Sequence, residues 1–330
     1  MVNRNNLFDD GVTTIWRGQK NLNVFGKVHY AYIIAVAYRK IISFYRESLK
    51  QKECYYGPFK GEFGHFLLHN LPFLTHLYKQ GVKINYCGMA LHKPFLVNES
   101  GESILSSFHE LRDFFSEVSP AANQTIPPVD VRKEIDSFIS GAKKSGKPFL
   151  DISDNDLYWY VFRNWQVKRK KQDLFDLSRI YKAKQENSVV IFPRKKGSQF
   201  TRNNGGPWNY MQLAKSISDY FDKVYIAGHP SLSEELSSDG NIEVCLSKDN
   251  SVMLQKCSNS KLIITQHSGA VHVGAYTHTP VLIIFNGNPP IVGLSDTFRF
   301  RKNFNSKFEF NFAFTENDVL DYVKKFQNQS

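Results

Sequence analysis

Residues 263–287 read I-I-T-Q-H-S-G-A-V-H-V-G-A-Y-T-H-T-P-V-L-I-I-F-N-G. A strand-like run ends at Thr265. A turn of Gln266, His267, Ser268 and Gly269 follows, then a short helix rich in small residues, and the Thr279–Pro280 step leads into another buried strand. Ser268 and Gly269 fall at the helix N-terminus. Backbone N–H groups there lack intrahelical partners and form an anion site, and glycine lets a phosphate come close. Ala270, Gly274 and Ala275 allow the helix to pack tightly on its sheet. Ligands of open α/β sheets bind at the C-terminal ends of strands, which is where this turn lies.

The alternation extends in both directions. Strand-like runs fall at 189–192, 223–227, 242–246, 261–265 and 280–285, with helical stretches at 208–221, 231–236, 251–257 and 269–276. That series reads as a doubly wound domain. Residues 316–326 form a final helix with Thr315 as its cap. Upstream, a strand at 53–56, a Gly-rich turn, a helix from Phe63 and a strand at 82–87 suggest a parallel βαβ unit. Residues 105–115 and 131–140 look helical, and 149–184 hold one long or two shorter helices. Residues 29–50 carry an apolar stripe of Ile33, Ile34, Ala37, Ile41, Ile42, Phe44 and Tyr45, with Arg39, Lys40, Arg46 and Lys50 towards the C-terminal half. The leading reading is a helix packed on the first domain, and the other is an interfacial membrane helix. The expected organisation is an N-terminal extension over 1–52, a first α/β domain over 53–185, and a second over 186–330 whose terminal helix crosses back to the first.

The bulk composition fits. The chain has 330 residues, 42% of them hydrophobic and 22% charged, which suits two globular α/β domains rather than a disordered chain. A net charge of +11 favours anionic partners without choosing among them. No nucleic-acid module is recognisable, so nucleic acid is not the expected partner. Cys54, Cys87, Cys245 and Cys257 form no C-x-x-C pair and read as reduced buried thiols. The polar start has no apolar signal core, and the longest apolar run, 30–38, is too short to span a bilayer. A cytoplasmic location, peripheral on the inner membrane face in one reading, is expected.

The 263–287 segment resembles the donor-binding motif of the ADP-heptose:lipopolysaccharide heptosyltransferase group, D-[ST]-G-x-x-H-x-A-A-x-x-x-x-P. Ser268, Gly269, His272, Gly274, Ala275 and Pro280 match in order, and His267 stands at the acidic position. Residues 191–214, I-F-P-R-K-K-G-S-Q-F-T-R-N-N-G-G-P-W-N-Y-M-Q-L-A, look like the strand, basic loop and helix that open the family's C-terminal domain. Residues 57–81, G-P-F-K-G-E-F-G-H-F-L-L-H-N-L-P-F-L-T-H-L-Y-K-Q-G, resemble its opening Gly-rich turn and helix, with His65 where the family has its proposed catalytic Asp. The resemblance runs loosely over 55–330. It implies a GT-B-like α/β fold of two doubly wound Rossmann-type domains facing a cleft. The implied activity is glycosyl transfer from a nucleotide sugar to a hydroxyl of a glycan or lipid-linked glycan, in bacterial-type surface polysaccharide or lipopolysaccharide assembly.

Roles follow by chemistry. An inverting transfer needs a base for the acceptor hydroxyl, and Glu62 is the first candidate, His65 the second. The competing reading of Glu62 is a turn residue at a helix N-terminus. His69 lies one helical turn beyond His65 on the same face. On the donor side Gln266, His267, Ser268, Gly269 and His272 form the phosphate turn. The resemblance implies that Arg194, Lys195 and Arg202 (with Lys196) face the diphosphate, Arg as a fork and Lys as a point charge; the competing reading of each is a solvated basic loop. His229, in the A-G-H-P run at 227–230, contacts the nucleotide or caps a helix. Asp151, Asp154 and Asp156 contain a D-x-D, read as a cap on the following aromatic run rather than a metal site. No metal or other cofactor is expected. The basic run 163–171, preceded by aromatics, is a solvated face or touches an anionic membrane. Alternatives are a CMP-sugar transferase of the Kdo or sialic acid type, and a non-catalytic nucleotide-sugar or glycan-binding protein.

Overall fold

The computed structural model describes residues 24–118, 125–153, 174–195, 208–286, 297, 301 and 308–329. Two parallel sheets organise them. The first runs in the order β3-β2-β1-β4, from β1 (Glu53–Phe59), β2 (Lys83–Met89), β3 (Ser107–Leu111) and β4 (Phe149–Leu150). The second runs β10-β9-β8-β5-β6-β7, from β5 (Ser188–Phe192), β6 (Lys223–Gly228), β7 (Ile242–Leu246), β8 (Leu262–Gln266), β9 (Val281–Ile284) and β10 (Phe310–Ala313). Every registered pair in both is parallel.

In each sheet the strand order reverses beside the first strand. β1 pairs with β2 on one side and β4 on the other, and β5 pairs with β6 and β8. Such a reversal splits the connections to opposite faces and opens a crevice at the carboxyl ends of the two strands. The crevice positions are therefore Lys60–Glu62 beside Asp151–Ser153 in the first lobe, and Pro193–Lys195 beside His267–Gly269 in the second. Both are where the sequence puts its chemistry.

The helices form where amphipathic stripes allow. They are α1 (Val24–Gln51), α2 (Leu71–Lys79), α3 (Val129–Lys144), α4 (Tyr210–Ile217), α5 (Asn250–Asn259), α6 (Ala270–Thr277) and α7 (Glu316–Gln329). α2 is led in by a helical turn, Phe63–His65, and a π-helical turn, Phe66–Asn70. The π turn inserts a residue into the helical repeat, the kind of irregularity that gathers at functional sites. α7 is capped as its sequence requires. Thr315 Oγ1 accepts from the Asp318 N–H at 3.1 Å, and Asp318 Oδ2 accepts from the Thr315 N–H at 3.0 Å.

Three expectations need correction. Residues 105–115 are not a helix but contain β3, in which half-buried Phe108 and buried Leu111 pack on opposite faces of the sheet while Ser107 and Glu110 are exposed. Leu105, Phe108 and Leu111 are spaced by three, a helical spacing, and the two sheet faces each bury part of that set. Residues 231–236 hold a turn and an isolated bridge from Arg194 to Ser233, since their backbone groups bond to residues 193–195 instead of continuing the turn: Lys195 N–H donates to Leu232 O and Glu234 N–H to Pro193 O. The helices expected within 149–184 fall mostly on 154–173, outside the described residues; the described part holds β4 and one helical turn, Ser178–Tyr181. The terminal helix does not cross to the first lobe. Val319 and Val323 pack under the second sheet with Val189, Ile191 and Leu213, and Gln327 Nε2 donates to Asn187 and Tyr220.

The lobes share apolar contacts. One buried cluster holds Tyr56, Phe66 and Phe73 of the first sheet layer together with Val190, Tyr225, Val271 and Tyr276 of the second. Buried hydrogen bonds cross the seam: Tyr276 Oη donates to Leu67 O at 2.7 Å, and Asn250 Nδ2 to Leu91 O at 2.8 Å. Burying these donors without partners would cost about 1–3 kcal/mol each, so they fix where the lobes meet.

Candidate functional site

The two Gly-rich turns meet. A Cβ placed on Gly269 would stand 2.8 Å from Gly64 N and 3.1 Å from Gly64 Cα. The close approach that Gly269 permits is thus to the backbone of the other lobe, where the sequence pointed to a phosphate. Around this contact lie the N-terminus of α6 and the Phe63–His65 turn that leads into α2.

On the second lobe, Arg194 leaves the end of β5 and crosses to β8. Its Nη1 donates to His267 O at 2.7 Å. Burial pulls the guanidinium below its ordinary pKa, opposed by the negative charge of Glu62 and by Tyr210. Arg194 and Glu62, one from each lobe, are therefore electrostatic partners. Glu62 stands at the N-cap position of the Phe63–His65 turn with φ −62° and ψ 136°, yet its side chain makes no capping bond.

Ser268 is used by its own helix. Its Oγ accepts from the Ala270 N–H at 3.2 Å and lies 3.3 Å from Thr265 Oγ1. A phosphate binding there competes with that cap for the Ala270 donor. Gln266 is fully buried, and Tyr210 Oη donates to its side-chain oxygen at 2.5 Å, so it braces the floor of the crevice. His267 stacks on Phe285 with centroids 6.4 Å apart and meets Thr297 Oγ1 at 3.2 Å.

The histidines gather at the seam. His65 and His69 meet edge to face, with centroids 5.8 Å apart. His272, buried on α6, is pushed well below the usual histidine pKa by desolvation first, then by His267 and His65. It is held neutral, so it can act as a hydrogen-bonding group and not as a cation for a diphosphate.

Not all expected residues come together. Lys195 is exposed, fixed by its N–H to Leu232 O at 2.9 Å. Arg202, Lys196, Asp154, Asp156 and the basic run 163–171 lie outside the described residues. Asp151 Oδ1 accepts from the N–H and the hydroxyl of Ser153, at 2.9 and 2.7 Å, forming a local turn. Among the described residues, no group of three or more His, Cys, Asp or Glu is placed to hold a metal ion.

His229 sits elsewhere, at the end of β6. Its Nε2 is 3.1 Å from Asp113 Oδ2, and Nδ1 accepts from the Ser231 N–H at 3.2 Å, so the proton is on Nε2 and is donated to Asp113. Lys248 Nζ reaches the same Asp113 oxygen at 3.1 Å. Burial lowers the His229 pKa against the pull of Asp113. For Asp113 burial works against ionisation, but the Phe115 N–H, Lys248 and His229 together hold it below the usual carboxylate value. This clasp joins the carboxyl ends of β3, β6 and β7 across the lobes. The sequence reading missed Asp113 because it placed that residue inside a helix. The signal was its position just beyond a strand. Lys60 was also passed over, although it is a buried lysine at the crevice end of β1.

Two parallel Rossmann-type sheets whose switch-point crevices confront each other define a GT-B-type fold. Solved structures share it. The glycosyl transferase family 9 protein from Veillonella parvula matches with a TM-score of 0.52 and 10% identity, over 84% of this chain and 97% of that one. E. coli heptosyltransferase WaaC with ADP-2-deoxy-2-fluoro heptose matches at 0.51 and 10% identity, over 83% and 99%. The same enzyme with ADP gives 0.50 and 11%. No family model matches the sequence, and no curated protein does.

Proposed function

We propose that this chain is a glycosyltransferase that moves a sugar from a nucleotide donor to a hydroxyl of a glycan, lipid-linked in the fuller form of the reading. The observation that carries it is the pairing of Glu62, from the first crevice, with Arg194, from the second, beside the N-terminus of α6. Glu62 takes the acceptor proton as the hydroxyl attacks the anomeric carbon. Attack on the face opposite the departing phosphate inverts the anomeric carbon, and Arg194 with the helix N-terminus stabilises that phosphate in place of a metal. The motif resemblance extends this reading to a surface-polysaccharide or lipopolysaccharide acceptor and a cytoplasmic, peripheral enzyme, and the fold shared with WaaC holding an ADP-heptose analogue supports a nucleotide-sugar donor. The division at residues 53–185 and 186–330 assigns acceptor to the first lobe and donor to the second. His267 at the family's acidic position keeps a CMP-sugar donor open.

A second reading rests on the same seam. Gly64 against Gly269, and Ser268 bonded to its own helix, leave fewer free donors at the N-terminus of α6 than a catalytic phosphate site would use. A non-catalytic nucleotide-sugar-binding protein has the same features.

Thermal-shift titration of the full chain without metal, against UDP, GDP, ADP, CMP, CDP and dTDP, tests both. A response to one nucleotide that Arg194→Ala abolishes supports the donor crevice. Turnover of the matching sugar nucleotide, lost in Glu62→Gln with nucleotide binding kept, establishes transfer. Binding without turnover favours the second reading, and no response to any nucleotide removes both.

A further inference from the structure

Helix α1 is buried on one side only. Ala37, Ile41, Phe44 and Ser48 recur at three- and four-residue spacing and are 5% exposed or less, packed in the first lobe's core. The other side is different. Val24 is 74% exposed, Phe25 85%, Val28 63% and Tyr32 66%. At about 100° per residue these four fall on one arc, and that arc is opposite the buried one. It continues along the helix through Arg39, Arg46 and Lys50, all exposed. The outward face is therefore apolar over its first turns, for about 12 Å, and cationic over its last, for about 17 Å.

A soluble surface carries scattered apolar side chains, but four large ones in adjoining turns make a patch that needs a partner. We infer that this face docks on an anionic lipid surface. Phe25, Val24 and Val28 enter the acyl boundary, and Tyr32 sits at headgroup level with its hydroxyl wet. Arg39, Arg46 and Lys50 then lie over anionic headgroups, and the net charge of +11 draws the whole molecule the same way. A second copy of the chain fits the face less well. A two-fold pairing of α1 sets either cations against cations or cations against the apolar turns. No helix among the described residues is long and apolar enough to cross a membrane, so α1 would lie on the surface. The inference stands apart from the transferase reading.

The test is flotation of the full chain with vesicles of phosphatidylcholine alone or with added phosphatidylglycerol. The chain should float with the anionic vesicles only, and less at high salt. Phe25→Ser with Val28→Ser should weaken binding at least about tenfold. Arg39→Gln with Arg46→Gln and Lys50→Gln should weaken it similarly and flatten the salt dependence. These side chains are exposed, so the variants should melt like the parent and keep its nucleotide response. That response is read in the same samples, so failure here is distinct from failure of the transferase reading. No flotation, or flotation that neither variant changes, overturns the inference. A dimer by light scattering that Phe25→Ser disrupts overturns it too, by naming the second copy as the occupant.

Discussion

Replacing Gly269 by alanine adds one methyl group at the point where the lobes touch. Gly269 has φ −55° and ψ −30°, which alanine adopts without strain, and at a helix N-terminus alanine should otherwise be tolerated. The contact decides the outcome. The new carbon meets Gly64 N at 2.8 Å, Gly64 Cα at 3.1 Å and the Phe63 ring at 3.2 Å. Comfortable carbon contacts begin at about 3.5 Å, so the seam must open by roughly 0.5 Å or more. The nearest obstacles are backbone atoms, which cannot swing aside as a side chain would. Overpacking of this kind costs about 1–3 kcal/mol. Urea denaturation should show a lower midpoint with an unchanged slope. Gly64→Ala should cost less, because its added carbon meets Gly269 Cα at 3.2 Å. Gly141→Ala is the control. It lies on the open side of α3 with no atom within 4 Å and should gain about 1 kcal/mol. If Gly269→Ala proves as stable as the parent while Gly141→Ala gains, the lobes do not meet through these glycines, and the phosphate role of Gly269 regains its place.

Other outcomes follow from the same geometry. Glu62→Gln should lower turnover by about 100-fold or more while leaving nucleotide affinity near the parent's; equal losses in both would assign Glu62 to binding. Asp113→Asn should destabilise by about 1–3 kcal/mol, and His229→Ala added to it should cost little more, because both remove one clasp; additive losses in the double-mutant cycle would show two independent contacts. His92 is fully buried against Phe66, with its pKa pushed down to about 3 by desolvation, and His272 is likewise depressed. The unfolded chain binds protons at these sites from pH 6.5 downwards while the folded one does not. Stability should therefore be level above pH 6.5 as far as these two are concerned, and fall below it by about 1.4 kcal/mol per pH unit for each. A stability profile level from pH 7.5 to 5.5 would contradict their burial as neutral rings.

The second lobe was the legible half. Its strands are continuous apolar runs such as Val189–Phe192, buried on both faces, and no other pattern competes with them. β10 escaped because F-N-F-A is only four residues long and interrupted by Asn311. In the first lobe, the apolar residues around β3, Leu105, Phe108 and Leu111, are spaced by three like a helical stripe, so Asp113 was lost with it. The site followed the same line. Arg194, Glu62 and the 266–269 turn were visible as motif positions at strand ends, since strand ends are set by local pattern. What Gly269, Ser268 and His229 do is decided by residues far away in sequence: Gly64, the first turn of α6, and Asp113. No local pattern carries that information.

The hydrogen bonds from Tyr276 to Leu67 and from Asn250 to Leu91 bear on how this chain can be taken apart. A GT-B architecture invites the exchange of one half for another, to pair a new acceptor specificity with an existing donor specificity. Here each half supplies polar atoms that only the other satisfies, and apolar side chains that only the other covers. A fragment ending near residue 185 would present Leu67, Leu91 and Phe95 to water, and its complement would present Tyr276. Grafts between relatives of this chain would have to carry the seam as a unit, with the glycines and the Asp113 clasp travelling together.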